Sequence, residues 1–375
     1  MDAYLILENG KTFKGKAFGK IGETIGETVF ATGITGYIET LTDKSYHGQI
    51  VVQTFPLIGN YGIIPSDFEG DIVGPCGYIV KEWCQDPSNF RSEGDLNTFL
   101  ISKGIVGLYG IDTRALTKIV RENGVMNGKI TTSLDNLERD IAELKAFTIK
   151  NAVENVTTKQ AYTESPTEAF GGEIPERFHV ALMDFGIKDN IKRELMRRGC
   201  KVTVLPGDTS FDEIMLLNPD GIMLSNGPGD PAENVEIIKN IAKVLEHNQN
   251  CHNNGDVKAQ VPIFGICLGH QLLALANGFK TIKLKYGHRG GNQPVKDLID
   301  GRVYITSQNH GYAVDRTSID ESRAREIFIN VNDKTSEGLE YKTANAFSVQ
   351  FHPEACGGPK DTSFLFDKFI DKLSN

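Results

Sequence analysis

The chain has no apolar run approaching the 18 or so residues that a membrane-crossing helix needs. A transmembrane protein is therefore not expected. It also lacks any basic run. Lys plus Arg total 40 against 49 Asp plus Glu, a net charge of -9. That balance argues against binding the phosphate backbone of a nucleic acid. Cysteine is scarce, with six residues scattered over 375. They read as free thiols in a reducing compartment rather than as a disulfide framework. None has the spacing of a zinc site: Cys76 and Cys84 are too far apart, and Cys251 stands in a polar stretch. Met1 to Gly10 shows no basic segment followed by an apolar core, so a secretory leader is not expected and a cytoplasmic location is. Gly124 to Ile130 only faintly echoes a phosphate-binding loop, with three residues between its glycines and Ile130 after Lys129. Gly19 to Gly26 has the wrong spacing for a dinucleotide fingerprint. No cofactor or metal is expected on this chain.

What is present supports a folded protein. The composition is 39% hydrophobic and 24% charged, and the length suggests two or three domains at about 150 residues each. The acidity is uneven, with 24 acids and 17 bases up to Arg177 and 25 acids and 23 bases beyond it. Residues 151–177 carry Ser165-Pro166, Gly171-Gly172 and Pro175 without strong periodicity, and read as a linker between domains 1–150 and 178–375.

The first domain is expected to be a strand-rich α/β unit. Tyr4–Leu7 reads as a strand, and Gln49–Phe55 as another that stops at Pro56. Leu96–Lys103 and Thr113–Glu122 read as helices, the second capped by Asp112 and ended by Gly124. The second domain alternates. Strands are expected at 180–185, 201–205, 221–225 and 261–266, with helices at 190–198, 233–247 and 268–276. This order implies a mainly parallel sheet flanked by helices, with function at the C-terminal strand ends.

Two of those ends carry chemistry. Gly265-Ile266-Cys267-Leu268-Gly269 joins a strand to a helix in the pattern of a nucleophile elbow, with Cys in place of Ser. The helix start stabilises negative charge at the sulfur. Alone, the pattern fits a buried core cysteine equally well. Val349-Gln350-Phe351-His352-Pro353-Glu354 ends a strand with His352 and Glu354 two residues apart, able to face one way. Glu354 could then orient His352 as a base for the thiol. Alone, this could be a polar turn; with the elbow, it reads as a Cys-His-Glu triad. The Leu268 N–H and the loop Ser225-Asn226-Gly227-Pro228-Gly229-Asp230-Pro231 could supply oxyanion donors.

Together, Gly-Ile-Cys-Leu-Gly-His-Gln, Asn-Gly-Pro-Gly-Asp-Pro and Gln-Phe-His-Pro-Glu resemble the triad-type, class I glutamine amidotransferases. The resemblance implies that Cys267 attacks the side-chain amide of L-glutamine. A glutamyl thioester follows, His352 moves protons, Glu354 assists, and Gly227 and Leu268 form the oxyanion hole. Gln271 stands at a glutamine-recognition position.

Further segments resemble the small-subunit family of carbamoyl phosphate synthetases. They are Thr35–Asp43, Ser45-Tyr46, Pro56–Gly62, Gly110–Arg114, Gly287–Asn292 and Ser307–Asp315. By that likeness Ser45, Gly229, Asn309, Gly311 and Tyr312 contact glutamine. Tyr312 replaces the family's commoner Phe, and Arg289 stands where His is expected. The family implies a large ATP-dependent partner subunit carrying ATP and Mg2+, which makes carbamoyl phosphate from bicarbonate and ammonia for arginine and pyrimidine synthesis. Three other readings remain at this stage. They are an amidotransferase subunit of another synthase such as that for anthranilate, a non-catalytic regulatory subunit, and a hydrolase of peptide or γ-glutamyl bonds. The intact triad residues speak against the second.

Overall fold

The computed structural model describes residues 1–374 and divides into two compact units, Met1–Ala152 and Val153–Asn375. The first is built on a closed seven-stranded barrel. Its strands are β1 (Asp2–Leu7), β2 (Thr12–Gly19), β3 (Thr24–Ala31), β4 (Gln49–Ile58), β5 (Gly77–Trp83), β6 (Val106–Tyr109) and β7 (Met126–Thr131). They run around the barrel as β1-β2-β6-β5-β4-β3-β7, with β3 to β6 mutually parallel where they pair and the other pairs antiparallel. Closure leaves no open sheet edge.

Local signals hold well here. Helix α1 is Leu96–Lys103 and α2 is Thr113–Asn123. The Asp112 carboxylate accepts the Ala115 N–H at 2.9 Å, and Gly124 ends α2 with φ 96°. One expectation fails. The strand beginning at Gln49 does not stop at Pro56 but runs to Ile58. Its register against β5 slips between Gln53 and Leu57, so Pro56, which has no N–H, falls in the irregular stretch and leaves no ladder bond unmade. Lys129 is no phosphate ligand. It is buried on β7, bonded to Asp140 at 2.9 Å and Glu23 at 3.0 Å.

The second unit holds a ten-stranded sheet. Its strands are β8 (Tyr162–Glu164), β9 (Phe178–Asp184), β10 (Cys200–Pro206), β11 (Gly221–Leu224), β12 (Ile263–Ile266), β13 (Thr281–Asp297), β14 (Val303–Val314), β15 (Ala324–Asn330), β16 (Ser336–Tyr341) and β17 (Ala346–Val349). The order is β14-β13-β15-β16-β17-β12-β11-β9-β10-β8, and β10, β9, β11, β12 and β17 form a parallel centre. Helices α3 (Asp189–Met196), α4 (Val235–Asn253), α5 (Leu268–Ala276) and α6 (Phe364–Leu373) belong to this unit. Among the described residues no helix is long and apolar enough to cross a membrane.

Residues 151–177 are not a bare linker. From Val153 the segment is built into the second unit. Val153 joins its core, and β8 pairs antiparallel with β10. Thr163 and Thr203 share a 2.9 Å hydrogen bond, and the Thr158 N–H donates to Asp184 at 2.8 Å. A three-residue strand is too short to show alternation in sequence, which is why it went unread.

The parallel strands are buried on both faces. Val180 and Leu182 of β9 lie in one core cluster, Ala181 and Met183 in the other. Phe264 of β12 stacks on Phe347 of β17 at 4.3 Å between ring centres and meets Phe366 and Phe369 of α6. This aromatic layer fixes the two strands whose ends carry the elbow and the histidine. Phe264→Ala is expected to destabilise the unit by roughly 3–5 kcal/mol. Amide hydrogen exchange should speed up in β12 and β17; unchanged protection there would refute the assignment.

Candidate active site

Cys267 stands between β12 and α5 with φ 52° and ψ -103°, a left-handed conformation that costs a non-glycine residue about 1–3 kcal/mol. Its neighbours show what imposes it. The Cys267 N–H donates to the Val349 carbonyl at 2.9 Å, and the Gly269 N–H to the Ser225 carbonyl at 3.0 Å. A Cβ on Gly269 would fall 2.3 Å from the Leu224 carbonyl oxygen. One on Gly265 would fall 2.9 Å from the Gly269 carbonyl carbon and oxygen. Glycine at both positions lets the helix start sit against the end of β11, and the chain turns sharply at the cysteine.

His352 and Glu354 follow β17 and are both buried. Glu354 Oε1 lies 2.6 Å from His352 Nδ1, so Nδ1 carries a hydrogen and Nε2 is turned to other work. Nε2 meets no nitrogen or oxygen partner; the Cys267 sulfur is the group within its reach. Burial and Lys188 disfavour a charged ring, but the charges of Glu354 and Cys267 outweigh them and raise His352 to about 9. Burial pushes Glu354 up, yet the His352 charge and its hydrogen bond hold the carboxyl below its ordinary value. The His352 N–H donates to the Ser307 carbonyl at 2.9 Å, and the Asn190 side-chain amide donates to the Glu354 carbonyl.

The loop after β11 is held by its own polar residues. Ser225 Oγ accepts the Phe185 N–H at 2.9 Å, and buried Asn226 bridges the Lys188 N–H and the Gly186 carbonyl. Gly227 is thereby pressed between the Phe185 carbonyl and Leu268. A Cβ there would lie 2.1 Å from the former and 2.8 Å from Leu268 Cδ2. The two expected oxyanion residues, Gly227 and Leu268, are thus neighbours. Gly229, with φ 89°, continues the same loop.

Gln271, one turn into α5, donates to the Tyr312 carbonyl at 2.7 Å and to Gln350 Oε1 at 2.9 Å. It ties α5 to β14, the strand carrying Asn309, Gly311 and Tyr312. The Cys267 thiol meets the Asn309 carbonyl at 3.8 Å. Cys267, His352, Glu354, Gly227, Leu268, Gln271, Asn309 and Tyr312 are therefore linked by direct contacts within one unit. Ser45 lies in the first unit. It is buried on a single helical turn, its N–H donating to Asp43 at 2.9 Å.

Matches to known families agree with this geometry. Residues 181–372 match the model for class-I glutamine amidotransferase, and residues 5–130 that for the CPSase domain of the carbamoyl-phosphate synthase small chain. The carbamoyl phosphate synthase small chain of Clostridium perfringens is 51% identical over 371 residues, 99% of each chain. That of Fusobacterium nucleatum is 49% identical over 374 residues, covering 99% of this chain and 98% of the other. That of Bacillus anthracis is 47% identical over 376 residues, covering 100% and 97%. The chain belongs to the carbamoyl-phosphate synthase small chain family.

In this small chain one supporting residue escaped sequence reading. Asn190 carries no local motif and reaches Glu354 only through the fold. His270 follows the elbow at the heart of α5, and its Nδ1 bonds Ser348 Oγ at 2.8 Å. Burial holds it neutral, with its pKa down at about 3. Arg289, the departure from the family pattern, is buried and folds back along its own strand, donating to the Tyr286 carbonyl at 2.6 Å. A Cβ on Gly311 would lie 3.6 Å from its guanidinium.

Two outcomes follow. Gly269→Ala must move α5 off the Leu224 carbonyl, and an ångström-scale shift costs about a hundredfold in rate. Alkylation of Cys267 by iodoacetamide, followed by peptide mass, should slow accordingly; an unchanged rate would refute the close-approach argument. Glu354→Gln should cost about 1–3 kcal/mol by removing a charge-assisted hydrogen bond. Raised His352 contributes stability fully below its ordinary value of 6.5 and loses it as pH rises through about 9. Lowered Glu354 contributes above its ordinary value of 4.5 and loses it as pH falls through its folded value. The stability gap between parent and variant should therefore be widest from mildly acidic to neutral pH and close above pH 9. A gap that widens in alkali would contradict the pair.

Proposed function

We infer that this small chain hydrolyses L-glutamine and supplies the ammonia to a large, ATP-dependent carbamoyl phosphate synthetase subunit. One observation carries the reading: a strained cysteine at a helix start, a buried histidine whose free nitrogen reaches that sulfur, and a carboxylate fixing the histidine's other nitrogen. Cys267 Sγ, its proton already held on the charged His352, adds to the amide carbon of glutamine. The carbonyl oxygen becomes an oxyanion held by the backbone N–H groups of Gly227 and Leu268. Each such donor lowers the barrier by roughly 3–4 kcal/mol. Collapse breaks the C–N bond, and His352 gives its proton to the departing nitrogen, which leaves as ammonia. Water then adds to the glutamyl thioester, again through an oxyanion, with His352 taking its proton. The C–S bond breaks, glutamate leaves and the thiol is restored. Glu354 keeps its proton inventory unchanged and holds the imidazolium present at rest and re-formed when water is deprotonated.

Gln271, Asn309, Gly311, Tyr312 and Gly229 hold the glutamine. Support for the first four is their position on the helix and strand that meet at the Tyr312 carbonyl. ATP and Mg2+ act on the large subunit, in the cytoplasm, and the ammonia passes to it without release. Support for the partner is family membership and a CPSase domain beside the amidotransferase domain.

Glutamate release from free glutamine, with and without the large subunit of the same source, tests this. A low rate alone, a rise with the partner and complete loss in Cys267→Ala are expected. A rate indifferent to the partner would discard the coupling, and undiminished hydrolysis by Cys267→Ala would discard the nucleophile.

A further inference from the structure

In the first unit, helix α2 packs across β3, β4 and β5, with Leu116 and Val120 buried beneath it. Beside that seam lies a surface cavity of about 300 Å3. Six residues line it: Arg114, Thr117, Lys118 and Arg121 of α2, Thr54 of β4, and Thr32, which follows β3. The parallel register sets Ala31 opposite Gln53, and so brings Thr32 beside Thr54. Arg114, Lys118 and Arg121 recur at helical spacing and share one exposed face. No carboxylate lines the cavity. Among the described residues neither Arg114 nor Lys118 forms an ion pair, and Arg121 meets its chain neighbour Glu122 at 3.9 Å. Thr54 and Thr117 donate their hydroxyl hydrogens to the Ala31 and Thr113 carbonyls at 3.1 and 2.7 Å. The backbone thus fixes those two walls, and the charge of the cavity comes from the helix.

Like charges three and four residues apart repel one another and weaken the helix that carries them. The chain up to Arg177 has 24 acids to 17 bases, yet none of those acids stands in the cavity to relieve the repulsion. A cleft lined by one sign of charge focuses the field and gathers counter-ions. We propose that Arg114, Lys118 and Arg121 form a binding site for the phosphate group of a small ligand. Two guanidinium forks match pairs of phosphate oxygens, and Lys118 adds a point charge between them on the helix. Three positive charges balance a phosphate dianion or a diphosphate better than a single carboxylate. The recess is concave, and its volume stands at the lower end of small-molecule pockets, which start at about 300 Å3. Both features suit a compact anionic group rather than the face of another protein. The site uses no residue assigned to glutamine hydrolysis, so it stands apart from that reading.

Calorimetric titration of the full chain with inorganic phosphate and with pyrophosphate tests the site, in a buffer free of other multivalent anions. One saturable site per chain is expected, weakened by added salt. Tighter binding of pyrophosphate assigns it to a diphosphate-bearing ligand and equal binding to a phosphomonoester; both uphold it. Arg114→Gln and Lys118→Gln should each loosen binding roughly 10- to 100-fold, the effect of removing one charge-assisted partner. Lys145→Gln, which removes an exposed charge of the same unit outside the cavity, should leave it unchanged. All three side chains are exposed, so these variants should keep the parent's thermal unfolding midpoint. No saturable binding of either probe, or equal loss in Lys145→Gln, would overturn the site. So would Arg114→Gln and Lys118→Gln chains that bind phosphate as the parent does but lose the large subunit, since the cations would then answer a protein carboxylate.

Discussion

The second unit depends on one close approach. The first turn of α5 lies against the carbonyl end of β11 with only the missing side chain of Gly269 between them. That contact sets the angle at which β12 becomes helix, and the angle forces Cys267 into its left-handed conformation. The strain is sustained because the strand before it is locked by the Phe264 layer and the helix after it by Gln271 and His270. A cysteine in a relaxed turn would not present its sulfur at the head of a helix and in reach of a histidine from the adjacent strand.

Two buried histidines of the second unit stand in opposite electrostatic states. His352 is buried beside a carboxylate and keeps its charge, whereas His270 is buried beside a hydroxyl and loses it. Burial acts alike on both; the partner decides. His270 is thereby a neutral spacer under the elbow. The pair around Gln308 divides in the same way: beside Asp333 and Glu337, His288 is raised to about 9, whereas burial and the nearby His288 push His310 well below its ordinary value.

Much of this was legible in the chain. The helix that begins at Thr113 followed from its Asp112 cap and Gly124 stop, which are local. The alternation of the second unit and the three site segments could be read because each is short, contiguous and chemically distinctive. Pro56 misled because a strand tolerates proline where the register slips, and register is decided by the neighbouring strand. The stretch around Tyr162–Glu164 was taken for linker because its strand identity comes from β10, some 40 residues later.

The sequence by itself determined which residues are the candidates for chemistry: a cysteine between glycines, a histidine and a glutamate two apart, a glycine-proline loop. These are covalent spacings, and they survive in any fold. Only the tertiary structure decided that the three segments meet, that Asn190 steadies Glu354 from 164 residues away, and that Gln271 joins helix to strand. It alone turned Arg289 back on its own strand and gathered His288, His310, Gln308 and Glu337 around one point. The physical reason is that hydrogen bonds across strands are set by register and burial, which no single segment contains.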